Sequence, residues 1–514
     1  MKDPAFKAAS KRRYMCNYFD GLLDNAFGNF RDVIRFVSKS PIMGEYLTFV
    51  NNVSNELTAP DENYARELLQ LFTLGPVKLR NNGEVRLDAE GNEVPSYTQE
   101  DIEELARVFT GWKFIDIRGD DKYSQPMLPR GEHDMGEKRI LGKKFAAGLS
   151  AEEELEAVIE LLMSQNTLYT FVTKFFINKL VTSNPRAGYI RRVRRAFKRS
   201  DGDMQALIIA ILTDKDALRS GSTVGKLRDP LSVFTHAMRA LQVKRRDGVL
   251  MWPKQFNWYN RTLPLSAPSV FYYYQPDDAP NHPDFNGLMA PEFNVYQWHD
   301  IYQYGIQFRE LVARFEEEAK DWYMDEVLFT QYLAFDDEGV VDYLNEHLFA
   351  YQMSEQARQC YLDYLAQCPS RQSKWRKEIK NLVMNALLSP EFITQGNHHE
   401  LNTTSFLQAG SAGVGVSALN LAAFPAFADS FNQCKNGYRA VVGIDLAGGN
   451  DGYNMLIPTA APANSQYRAL RGNLALDETS CIHLDAVNDD AKLALNPAML
   501  RSRPIGIMLT LYLL

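Results

Sequence analysis

Cysteine is sparse in this 514-residue chain: Cys16, Cys360, Cys368, Cys434 and Cys481 are scattered, and none forms a CxxC pair. Such spacing excludes a disulfide scaffold and a cysteine-based zinc site. Basic excess is lacking too. Lys plus Arg number 56 against 64 Asp plus Glu, a net charge of −8, so the charge balance gives no reason to expect a nucleic-acid partner. No stretch approaches the roughly 20 strongly apolar residues of a membrane span, so no transmembrane segment is expected. The opening MKDPAFKAASKRRYMCNYF has positive charge but neither an apolar core nor a small-residue cleavage site, so no export signal is visible there. A fixed-period repeat is absent, which argues against a solenoid. What remains is an ordinary globular composition, 45% hydrophobic and 23% charged, long enough for several domains with buried cores.

From Tyr14 to about Pro390 helical periodicity dominates, so the class is mostly α: a multi-helix globular domain. Pro60-Asp61-Glu62 marks a helix start, and Asn63 to Phe72 continues it until Gly75 can cap it. Thr98 to Asp101 has capping-box spacing and opens a helix, Ile102 to Phe109, that Gly111 ends. Between them Leu79 to Pro95 is polar, with Asn82-Gly83 as a hairpin turn, and predicts a small β-ribbon. Further helices are predicted at Ala151–Met163, Tyr169–Val181, Tyr189–Arg199, Met204–Leu212, Leu231–Val243, Asp300–Lys320, Val340–Leu365 and Ser373–Leu388.

After Asn397 the texture changes. Ser405 to Ala428 is uncharged and closes on Ala426-Phe427-Ala428, the shape of an export signal, with a flexible Ala/Gly/Ser linker as the alternative. Tyr438 to Leu446 then reads as a buried strand followed by a glycine-rich turn, Ala447 to Asn454, the opening of an α/β domain with too little chain after it to finish a parallel sheet. Arg501 to Leu514 is apolar, with no pattern of a partner, and predicts an aggregation-prone edge. The expected division is therefore a helical domain over 1–395, a signal-like linker over 396–430, an α/β start over 431–500 and an apolar tail over 501–514.

His133-Asp134 with Lys138 in a glycine-containing loop is the main catalytic candidate. A histidine beside a carboxylate can act as base, metal ligand or phosphate contact, and it can equally hydrogen-bond a loop into place. Glu62, Arg66 and Glu67 share one helix, with Glu62 and Arg66 one turn apart; they can bind a ligand or form a structural ion pair. Trp112 and Tyr272, Tyr273 and Tyr274 could line a sugar or aromatic site or serve as core. The run Arg191 to Arg199 sets Arg191, Arg194, Arg195 and Lys198 along a stripe, a polyanion or headgroup contact or a solvated face. His398-His399-Glu400 is too short a group to assign a metal role.

Asp61 to Gly75 (DENYARELLQLFTLG), Glu104 to Trp112 (ELARVFTGW) and His133 to Gly142 (HDMGEKRILG) together resemble the bacterial family known as domain of unknown function 1800. Ser266 to Asp277 (SAPSVFYYYQPD), Leu288 to Phe293 (LMAPEF) and Leu387 to Phe392 (LLSPEF) are similar to that family's C-terminal half. The resemblance covers about Tyr14 to Gln395 and implies a periplasmic or secreted protein, here without the family's upstream helices and export signal. Val441 to Pro458 (VVGIDLAGGNDGYNMLIP) and Leu495 to Met499 resemble the start of a second family, domain of unknown function 1501, kin to alkaline phosphatases and sulfatases. The twin arginines of its export signal are absent before Ser405. This second resemblance implies an incomplete alkaline phosphatase-like fragment in which Asp451 matches a metal-holding position. No cofactor is assigned, and a divalent metal is expected only if that domain were complete. The families are commonly encoded side by side, which implies a complete domain of unknown function 1501 protein as partner. Three functions are expected: a non-catalytic binding or assembly partner of that phosphatase-like protein; a hydrolase on an envelope or extracellular polymer using His133, Asp134 and Glu62; or a frameshift or readthrough fusion with no function of its own.

Overall fold

Apolar side chains at helical spacing bury one face of each segment, and the computed structural model is accordingly mostly helical, with small antiparallel sheets. It describes residues 9–115, 123–217, 225–245, 262, 267–279, 288–296, 304–305, 308, 322–324, 336–367, 375–395, 440–446, 456–461, 463–471, 475–477, 479, 481–483, 493–495 and 507–513. The chain divides into two units, Met1–Asn432 and Gln433–Leu514.

The first unit opens with α1 (Ala9–Asp24), α2 (Phe30–Lys39), α3 (Pro41–Tyr46), α4 (Asn63–Glu67) and α5 (Gln99–Val108). Two antiparallel ribbons follow, β1 (Trp112–Lys113) with β2 (Leu128–Pro129) and β3 (Lys138–Ile140) with β4 (Lys143–Phe145). Then come α6 (Ala151–Ser164), α7 (Asn166–Leu180), α8 (Ala187–Arg199) and α9 (Met204–Thr213). Their apolar faces share one core, from Tyr14 to Ile211. At its centre Tyr64 stacks on Phe49 at 4.2 Å and meets Phe109 edge-on at 4.7 Å. Short polar side chains set the helix starts. Thr98 accepts from the Asp101 N–H while Asp101 accepts from the Thr98 N–H, the predicted capping box, and Ser150 with Glu153 does the same for α6.

A second core, from Leu227 to Phe392, is built on β5 (Lys226–Leu227), α10 (Pro230–Ala240), α11 (Asp337–His347), α12 (Glu355–Ala366) and α13 (Trp375–Leu388), and the same stretch of chain carries β6 (Val243–Arg245), β7 (Trp322–Met324) and β8 (Thr394–Gln395). β5 pairs with β8 and β6 with β7, both antiparallel.

Several predicted elements are corrected. The helix from Asn63 is α-helical only to Glu67 and widens into a π-helical turn, Leu68–Thr73, because the Leu74 and Gly75 N–H groups both reach back to the Leu69 carbonyl. The ribbon between Leu79 and Pro95 reduces to isolated bridges, Leu79 with Val85, Leu87 with Glu93 and Val77 with Pro95. The helix predicted to run to Val243 ends at Ala240, where Gln242 turns left-handed and Val243 enters β6. Val340–Leu365 is two helices: Ala350 and Tyr351 are left-handed, and Ser354 caps α12 afresh. Nearly all of 300–320 lies outside the described residues.

In the second unit the predicted strand is present as β9 (Ala440–Leu446). The apolar tail is corrected from a lone edge to a partner strand: Ile507–Leu513 pairs antiparallel with β9 through seven registered residue pairs. Leu456–Pro458, Leu493–Leu495 and Ile482–His483 form a second antiparallel sheet. Asp451, the group His398-His399-Glu400 and the signal-like stretch 405–428 lie outside the described residues.

Candidate functional site

Two resemblance motifs, Glu104 to Trp112 and His133 to Gly142, meet between α5, the loop before β3 and the first turn of α6. Gly111 makes this possible. Its φ is +80°, and a Cβ there would sit 3.2 Å from the His133 backbone, so only glycine lets the two segments touch. The Gly111 carbonyl then accepts from the Gly131 N–H at 2.9 Å. Thr110 completes the lock: its hydroxyl accepts from the Asp134 N–H at 2.9 Å, and its carbonyl lies 3.1 Å from His133 Nδ1, which donates to it.

The side chains of the loop are turned into protein. Arg107 forks onto Asp134, Nε to Oδ2 at 2.8 Å and the terminal nitrogen to Oδ1 at 3.0 Å, and also holds Glu104 at 2.7 Å. These bonds, foremost, hold the Asp134 carboxyl well below the usual carboxylate range, with further donation from the Gly136 N–H and Ser54 and against the cost of burial. Lys138 is fully buried. Its ammonium donates to Glu154 Oε1 at 2.7 Å, to the Gly136 carbonyl at 3.1 Å and to the Asp134 carbonyl. Glu154, on α6, is fully buried as well, and its Oε2 lies 3.2 Å from His133 Nε2, off hydrogen-bonding geometry. His133, Asp134 and Lys138 are thus brought together, but around a buried glutamate and a half-buried arginine that the sequence reading did not single out.

Glu62 and Arg66 pair at 2.9 Å, and Gln99 bridges both at the start of α5. Gln99 and Arg107 are eight residues apart, about 12 Å of helix. The hydrolase arrangement of Glu62 beside His133 is therefore corrected: Glu62 belongs to the opposite end of α5. Glu67 leaves that pair and enters the core, where desolvation raises its pKa and Arg66 lowers it less; its Oε2 has no hydrogen-bond partner. Of the two roles open to Trp112, the fold gives it the core one and not the ligand-binding one. It is 0% exposed, a core residue with no face left for a ligand. Arg194 leaves the predicted basic stripe, turning inward to Thr170 at 3.0 Å and Asn166 at 3.2 Å.

A second polar centre joins the two cores. Lys226 pairs with Glu292 at 2.8 Å, both nearly fully buried, and donates to the Asn178 carbonyl in the last turn of α7 at 2.9 Å. Asp229 caps α10 and accepts from the phenols of Tyr272 at 3.1 Å and Tyr274 at 3.4 Å. Lys179 lies over the faces of both rings, 5.0 Å and 4.8 Å away. Desolvation, then the charge of Lys226, holds Lys179 below the ordinary lysine range. Tyr272 adopts a φ of 71°, a strained conformation for an aromatic residue. The tyrosine run and Glu292 of LMAPEF were visible in the sequence. Their common anchors, Lys226 and Asp229, were not, because nothing in a linear pattern pairs residues more than 40 positions apart.

Among the described residues no group of three or more His, Cys, Asp or Glu could hold a metal ion, and no helix is long and apolar enough to cross a membrane. No curated protein and no solved structure matches the chain. A family model described as a protein of unknown function (DUF1800) matches residues 5–394, a span that takes in the loop lock, the second polar centre and both cores of the first unit. By that match the chain belongs to the DUF1800 family.

Proposed function

We propose that the helical unit is a non-catalytic binding or assembly protein whose motif residues build its shape. One observation carries this reading: Lys138 and Glu154 are fully buried and His133 nearly so, each bonded to protein groups, with Asp134 forked by Arg107. A general base must reach substrate, directly or through one water. These groups instead fasten a loop to two helices, and leave the outer helix faces as the surface on which a partner would sit.

The partner we propose is a complete domain of unknown function 1501 protein, the phosphatase-like kin of the segment after residue 431. The setting in which they would meet is the bacterial envelope. Co-purification of the chain with that complete protein, followed by sedimentation of the mixture at micromolar concentration, tests the idea. A stable complex that His133→Ala leaves intact is the expected outcome. Absence of a complex counts against the partner. Activity on esters, phosphates, sulfates or glycosides that falls with His133→Ala, in a folded variant, overturns the non-catalytic reading.

A further inference from the structure

The helices α8 and α9 run antiparallel: the Tyr189 hydroxyl at the start of α8 donates to the Ile211 carbonyl near the end of α9, at 2.7 Å. The inward side of α8 carries Tyr189, Ile190, Val193, Arg194 and Phe197. Its outward side carries Arg191, Arg195 and Arg199, all exposed and each four residues from the next, about 6 Å along the axis. None of these arginines has an ion pair or side-chain hydrogen bond among the described residues. The nearby carboxylates do not neutralise them. Asp214 and Asp216 are held by Arg192 at 2.7 Å and 2.8 Å, and Asp201, in the turn after α8, by Arg31 at 2.6 Å.

The neighbouring helix α9 exposes two large apolar side chains, Ile209 at 54% and Leu212 at 51%. Unpaired arginines on one helix and exposed aliphatic side chains on the helix packed against it suit a surface with anionic groups outside and hydrocarbon beneath. A soluble linear polyanion would satisfy the arginines but offer nothing to Ile209 and Leu212. We propose that the α8–α9 face docks the protein onto an anionic phospholipid surface, with Arg191, Arg195 and Arg199 at the headgroups and Ile209 and Leu212 reaching the acyl boundary.

Sedimentation of the full chain with phosphatidylcholine vesicles, and with vesicles also containing phosphatidylglycerol, tests this. Binding to the anionic vesicles alone, weakened by salt, is expected. Each basic residue near such a surface strengthens partitioning about fivefold, so R191E/R195E/R199E should lower it at least about a hundredfold. These positions are exposed, so the thermal melt should not change; the milder R191Q/R195Q/R199Q serves if it does. I209S/L212S, which leaves the charge untouched, should lower binding further at high salt. Failure of the wild-type chain to bind the anionic vesicles overturns the proposal, as does undiminished binding by the arginine variants. Capture by polyphosphate without vesicle binding, or equal vesicle binding by I209S/L212S, removes the bilayer as the occupant.

Discussion

Replacing Lys138 by Met removes one charge from a pair that is wholly enclosed. The ammonium and the Glu154 carboxylate are 2.7 Å apart and neither side chain is exposed. At an effective dielectric near 20, that separation corresponds to about 6 kcal/mol of Coulomb attraction. Desolvation of the two charges offsets much of it, so the intact pair contributes little net stability. The single variant is different, because it strands a buried carboxylate and takes the donor from the Gly136 carbonyl, 3.1 Å away. The expected loss is about 3 to 5 kcal/mol. Equilibrium urea unfolding, followed by circular dichroism, measures it. Pairing the change with Glu154→Leu removes both charges and should recover most of the loss, since apolar replacements of buried pairs are near neutral. A loss below about 1 kcal/mol for Lys138→Met, or a double variant no more stable than the single, would refute the picture of an enclosed pair whose members need each other.

Gly111→Ala should destabilise by more than about 1 kcal/mol, because φ is +80° and the added carbon meets the His133 backbone at 3.2 Å; a wild-type unfolding midpoint would mean the two segments do not touch. The depressed pKa of Asp134 makes a signed pH prediction. Its folded pKa lies below its unfolded value, so its stabilisation is present above the ordinary carboxylate range, near about 4, and is lost as pH falls through the folded value. Arg107→Gln, which removes the main cause of that depression, should therefore cost stability at neutral pH and flatten the acid limb of the stability curve. A parallel acid limb in variant and wild type would contradict the assignment.

The sequence by itself determined the mostly helical class, the capping box at Thr98–Asp101, the strand at Ala440–Leu446 and the family, because each depends on residues within a turn or two of one another, or on an ordered run of letters. Helix breaks at Gln242 and at Ala350 and Tyr351 were hidden, since non-glycine residues carry no sign that tertiary contacts will hold them left-handed. So was the fate of the site residues. His133, Asp134 and Lys138 look like chemistry in a line of letters, and only the fold decided that Arg107 and Glu154 would close on them. Tertiary structure likewise separated Glu62 from His133, buried Trp112 and turned Arg194 inward while leaving Arg191, Arg195 and Arg199 outside. The physical reason is common to all of these. Helical propensity and capping act over a few residues, whereas burial and charge pairing depend on which distant segments share a surface.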